Sequence, residues 1–92
     1  MQSAKERERT FFYFPTKAKN ETARHWLSLK DFIIHEVGKL KVVCFNKGND
    51  VVVINEESLK IHFFDNEEEA MNFCLDVYPE TKINKQGDLF TI

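Results

Sequence analysis

The sequence predicts one small α+β domain: an antiparallel sheet of four to five strands with two helices, in the order β-α-β-β-β-α-β. Three observations lead there. The middle of the chain holds three strand-like runs, Leu40–Phe45, Val51–Ile54 and Leu59–Phe64, separated by short polar breaks. Apolar residues at helical spacing occur on both sides of them. No repeat, low-complexity tract or Gly/Ser/Pro linker divides the 92 residues, so 1–92 reads as a single unit with 1–8 as a frayed start.

Arg9–Phe14 contains Phe11, Phe12, Tyr13 and Phe14 in succession, which favours a first strand apolar on both faces and stopped by Pro15. Lys17–Asn20 reads as a loop. Asn20 is suited to cap a helix, and Glu21 suits the positive end of its dipole. Trp26, Leu29, Ile33 and Val37 then recur at helical spacing, up to Gly38 as the residue past the end. The β-branched pair Ile33-Ile34 leaves a strand over Asp31–Val37 as the alternative.

Leu40–Phe45 and Val51–Ile54 flank Asn46-Lys47-Gly48-Asn49, where Gly48 offers the positive φ of a tight hairpin. Leu59, Ile61 and Phe63 alternate with Lys60, His62 and Phe64 as the third strand of a meander. Asp65 and Glu68 stand three apart as in a capping box, and Glu67 and Glu69 complement the same helix dipole. Ala70, Met71, Cys74, Leu75, Val77 and Tyr78 form the apolar stripe of that helix, and Pro79 closes it. Lys82–Asn84 and Asp88–Ile92 around Lys85-Gln86-Gly87 suggest a terminal hairpin or edge strand.

Hydrophobic residues make up 42% and charged residues 30%, a globular rather than a disordered balance. Two cysteines cannot build a disulfide framework. No apolar run approaches the ~20 residues of a membrane span, and Met1–Thr10 is too polar for a secretory leader. A cytoplasmic protein without membrane contact is the expectation.

The central hairpin has more apolar surface than one helix layer covers. Val43 and Phe45 oppose Val42 and Cys44, while Val52 and Ile54 oppose Val51 and Val53, so both faces are apolar. Each large side chain left in water forgoes ~1.5–3 kcal/mol. The cover can be the aromatic N-terminal segment, a second copy of the chain or another macromolecule. A two-fold homodimer through Val43, Phe45, Val52 and Ile54 is expected, since such dimers are the commonest oligomers.

Charge is uneven too. Residues 1–41 carry nine basic and five acidic side chains, and residues 42–92 carry four basic and ten acidic ones. Solvated faces are the ordinary explanation. The functional one gathers Glu56, Glu57, Asp65, Glu67, Glu68, Glu69, Asp76, Glu80 and Asp88 into an acidic face. Such a face would attract a basic protein partner, in the manner of a nucleic-acid-mimicking inhibitor. The alternative places Arg7, Arg9, Lys17, Lys19 and Arg24 on the phosphates of a single-stranded nucleic acid, with Tyr13, Phe45 or Phe64 stacking on bases.

The element order resembles RNA-recognition modules, but Lys47-Gly48-Asn49-Asp50-Val51-Val52 lacks their stacking aromatics. Its helix-meander-helix part is similar to double-stranded RNA binders, yet the last helix begins Asp65-Asn66-Glu67-Glu68-Glu69, which repels phosphate. No catalytic signature is complete. His35-Glu36-Val37-Gly38-Lys39 has Lys39 where a zinc-protease helix needs its second histidine. Cys44 and Cys74 form no C-x-x-C pair, and no metal set or cofactor loop is visible. A nuclease-like set of Asp50, Glu57 and Lys60 fails because Glu57 and Lys60 are spaced one residue too far apart. The sequence is thus expected to encode a non-catalytic regulatory or interaction protein, without cofactor or metal.

Overall fold

Ser3 opens the first element. Its hydroxyl accepts from the Glu6 amide at 3.3 Å, and the Glu6 carboxylate accepts from the Ser3 amide at 3.2 Å. This reciprocal capping box starts helix α1, Ala4–Phe12. The computed structural model describes residues 3–48 and 50–80. The expected terminal strands at Lys82–Asn84 and Asp88–Ile92, and Asp88 of the acidic set, lie outside those residues.

The expected first strand is therefore the end of a helix, and residues 3–8 are its start. Ala4 and Phe11, seven apart and two turns along one face, are the two buried residues of α1. Pro15 ends the run and leads into α2, Thr16–Ser28, which begins earlier than the Asn20 cap suggested. Ala23 is its fully buried residue, with Trp26 and Leu27 packed beside it.

A single tight turn over Lys30–Phe32 follows, and the chain straightens into β1, Ile33–Val37. The strand alternative for this segment is the one realised. Ile33 and Val37, four apart, would share a face in a regular strand, but a bulge between Ile33 and His35 sends them to opposite cores.

β2 (Leu40–Phe45), β3 (Asp50–Asn55) and β4 (Ile61–Phe64) continue the antiparallel sheet in the order β1-β2-β3-β4. The meander stands where the sequence put it. At the β2–β3 turn Asn46, Lys47 and Gly48 all have positive φ, so the left-handed backbone is shared rather than carried by Gly48 alone. Between β3 and β4 the Asn55 side chain accepts from the Glu57 amide (2.8 Å) and the Ser58 amide (2.9 Å), and Leu59 takes φ +65°. Helix α3, Glu67–Val77, is capped by Asn66, whose side chain accepts from the Glu69 amide at 2.9 Å. The cap is one residue later than the Asp65–Glu68 pairing expected.

Helices cover both faces of the sheet. Ala70 and Cys74 of α3 pack on Val37, Leu40, Val42, Val51 and Val53. Phe11 of α1 and Ala23 of α2 pack on Val43, Val52, Ile54 and Ile61 of the other face. Val43 and Ile54 are 0% exposed and Val52 3%, while Phe45 is half-buried against Trp26 at 5.3 Å between ring centroids. The face assigned to a homodimer is thus sheltered inside one chain. The N-terminal segment provides the cover as helices, so Val43, Val52 and Ile54 need no second copy to shield them.

Candidate interaction surface

Four consecutive aromatics cannot all face inward from a helix, where neighbours lie about 100° apart. Phe11 takes the inward direction and meets Phe63 at 5.4 Å between centroids. Phe12, Tyr13 and Phe14 are 69%, 80% and 42% exposed, three large apolar residues in a row at the corner between α1 and α2. The corner is ordered by its own contacts. Phe14 packs on Phe11 at 5.0 Å, Phe12 meets Tyr13 edge-on at 5.5 Å, and the Phe14 amide donates to the Phe11 carbonyl at 3.0 Å.

Cations border this surface. The Lys19 ammonium lies 5.4 Å from the centre of the Phe12 ring and donates to the Phe12 carbonyl at 3.4 Å. Arg9 lines a shallow concavity with Glu6, Thr10, Tyr13 and Phe14. Of the basic residues expected to meet phosphates, Arg9, Lys17 and Lys19 stand at or near this corner, and Arg24 is exposed further along α2. Arg7 is engaged elsewhere: its guanidinium is 3.0 Å from Asp50 and 3.9 Å from Asp65. Of the expected stacking residues, Tyr13 is outward, whereas Phe45 and Phe64 pack in the two opposite cores.

The acidic residues do not gather into one face. Glu56 and Glu57 follow β3 at the end of the sheet that also holds the β1–β2 turn, and Asp76 near the end of α3 and Glu80 just past it lie toward the same end. Asp65, Glu67, Glu68 and Glu69 stand at the opposite end, where β4 runs into α3. Several are occupied within the molecule. Glu56 pairs with Lys41 at 3.2 Å and Glu67 with His35 at 2.5 Å. Asp65 accepts from the Ala4 amide at 2.8 Å and so serves the positive end of α1.

The nuclease-like set is scattered as well. Asp50 begins β3 beside Arg7, while Glu57 and Lys60 lie past its far end. Among the described residues no three His, Cys, Asp or Glu side chains come together as metal ligands would. Burial pushes the Cys74 thiol up to about 11, which keeps it protonated. Burial also raises the half-buried Cys44, with Glu67 and Asp50 adding to the effect. No helix of the described residues is long and apolar enough to cross a membrane.

The aromatic corner was missed because its residues read as a strand. The signal was present in Ser3-x-x-Glu6, a capping box that starts a helix and so forces most of Phe11–Phe14 outward. Comparison with family models, curated proteins and solved structures finds no match to this chain.

Proposed function

We propose that the chain is a small non-catalytic interaction protein of the cytoplasm, engaging a protein partner through the corner between α1 and α2. The succession of exposed Phe12, Tyr13 and Phe14 supports this reading. Contiguous exposed aromatics are uncommon on surfaces that stay in water, and aromatic and arginine anchors supply most interface energy. Glu6, Glu8 and Glu21 interleave with Arg9, Lys17 and Lys19, so the rim is mixed in sign. A mixed rim suits a protein groove with complementary charges better than a uniform phosphate backbone. Docking of a basic partner on the acidic residues is the weaker form of the same reading, because they are divided between two ends of the sheet.

The test is quantitative affinity enrichment from the native cells with the wild type and a Phe12→Ser/Tyr13→Ser variant. Both side chains are outward, so the variant folds with nearly unchanged stability. A partner held by the wild type and depleted about tenfold or more by the variant is expected. Identical enrichment profiles overturn the assignment.

A second reading, single-stranded nucleic acid, has Tyr13 and Phe12 as stacking platforms with Arg9, Lys17 and Lys19 nearby in its favour. A gel shift that weakens with salt and disappears in Lys17→Ala/Lys19→Ala would install it in place of the first.

A further inference from the structure

On the face away from α3, a cavity of about 250 Å³ opens between α1, α2 and the β2–β3 hairpin. Trp26, Phe45 and Phe63 wall it, Val51 and Val52 contribute to its lining, and Arg7, Asn46 and Asp50 stand at its polar rim. It is distinct from the exposed corner and does not depend on the function proposed for that corner.

The polar rim has a definite hydrogen-bonding sense. Arg7 holds one oxygen of Asp50 at 3.0 Å, and the Asn46 amide nitrogen donates to the other. Those contacts fix the carboxylate in place, with the Arg7 guanidinium shared between it and Asp65. Each carboxylate oxygen has a second lone pair, and the Asn46 carbonyl oxygen is a further acceptor. Asp50 remains 28% exposed, so the acceptors are accessible from the cavity mouth yet partly screened from water. An edge with adjacent N–H donors is the complement of these acceptors.

The walls select its shape. Trp26 lies 5.3 Å from Phe45 and 6.3 Å from Phe63 between ring centroids, in tilted and edge-on arrangements. Such rings offer π-faces and edges to a flat guest. We infer that this cavity binds one flat nitrogen heterocycle carrying a ring N–H beside an exocyclic amino group. Guanine and the pterins share that edge. The N–H and amino donors meet Asp50 and Asn46, and the ring system lies among Trp26, Phe45 and Phe63.

Trp26 is the chain's one tryptophan, so its indole N–H gives a single NMR resonance inside the cavity wall. The probes are GMP and pterin, with AMP as a purine lacking the edge and ribose 5-phosphate as a test of the phosphate alone. GMP or pterin is expected to displace the Trp26 resonance saturably below about 10 mM. AMP is expected to bind at least about tenfold more weakly than the better of the two. Phe45→Leu, which keeps the wall apolar but removes a π-face, is expected to weaken binding about fivefold. A response to GMP but not pterin, or the reverse, decides which source of the shared edge the site takes. No saturable shift with either probe, or an equal response to AMP or ribose 5-phosphate, overturns the inference. So does undiminished affinity in a folded Phe45→Leu protein.

Discussion

His62 shows how one half-buried group sets a condition on the whole chain. It packs against Phe73 at 4.6 Å between ring centroids, and burial lowers its pKa from the usual 6.5. Glu8 pulls the other way, and Lys60 reinforces the lowering. The unfolded chain therefore takes up this proton first as the pH falls. The stability contributed by neutral His62 is fully present above 6.5 and is lost as the pH drops below it toward the folded value. Urea unfolding at about pH 7.5 and about pH 5.5 should show the wild type losing more stability than His62→Phe, which keeps a ring against Phe73 but cannot titrate. Parallel losses in the two proteins would show that another group governs this range. NMR titration of the His62 ring should place its midpoint below 6.5.

Among the elements, the join between the β1–β2 turn and α3 is the most exacting. Gly38 has φ +58°, and a Cβ there would stand 2.6 Å from Cζ of Tyr78. The Tyr78 hydroxyl accepts from the Lys39 amide at 3.2 Å, which fixes the ring over the glycine. Gly38→Ala meets two penalties, a left-handed backbone with a side chain and an overpacked ring contact. Together they are expected to cost about 2–4 kcal/mol in chemical denaturation. In Gly38→Ala/Tyr78→Ala the steric part should be relieved, leaving the backbone part. A double variant with no relief would place the whole cost in the backbone.

The elements also show what could be read from sequence. β2 and β3 were legible as short β-branched runs between turn residues, β4 by its alternation, and α3 by the stripe around Ala70 and Cys74. The Gly38 turn was legible only as a helix end, since its tie to Tyr78, forty residues later, has no local trace. Ile33–Val37 was ambiguous because apolar Ile34 is exposed and polar His35 takes a half-buried position, so residue type does not follow the strand's alternation. In α1 aromatic content outweighed the capping box, although the box is the feature that concerns the backbone itself.

At the scale of the whole molecule, the excess of apolar strand surface was a correct observation with the wrong cover attached to it. Assigning Phe11–Phe14 to a strand left two helices for one side of the sheet, and a second copy then had to shield the other. With Phe11 and Phe12 as the end of α1, α1 and α2 occupy one face and α3 the other. The candidate surface followed the same course. Charge and aromatics at 9–19 were visible in the sequence, but their shared corner depends on a helix turn that was read as a strand.

The strand order β1-β2-β3-β4 joins only neighbours in the chain, so the sheet can assemble by short loop closures. The helices close longer loops, and α1 most of all, since its Phe11 reaches Phe63 across some fifty intervening residues. A kinetic asymmetry follows from that arrangement. Stopped-flow refolding should slow in Val53→Ala, at the centre of the hairpin that forms early. In Phe11→Leu refolding should keep nearly its original rate while unfolding quickens, because α1 settles onto the sheet after the barrier has been crossed.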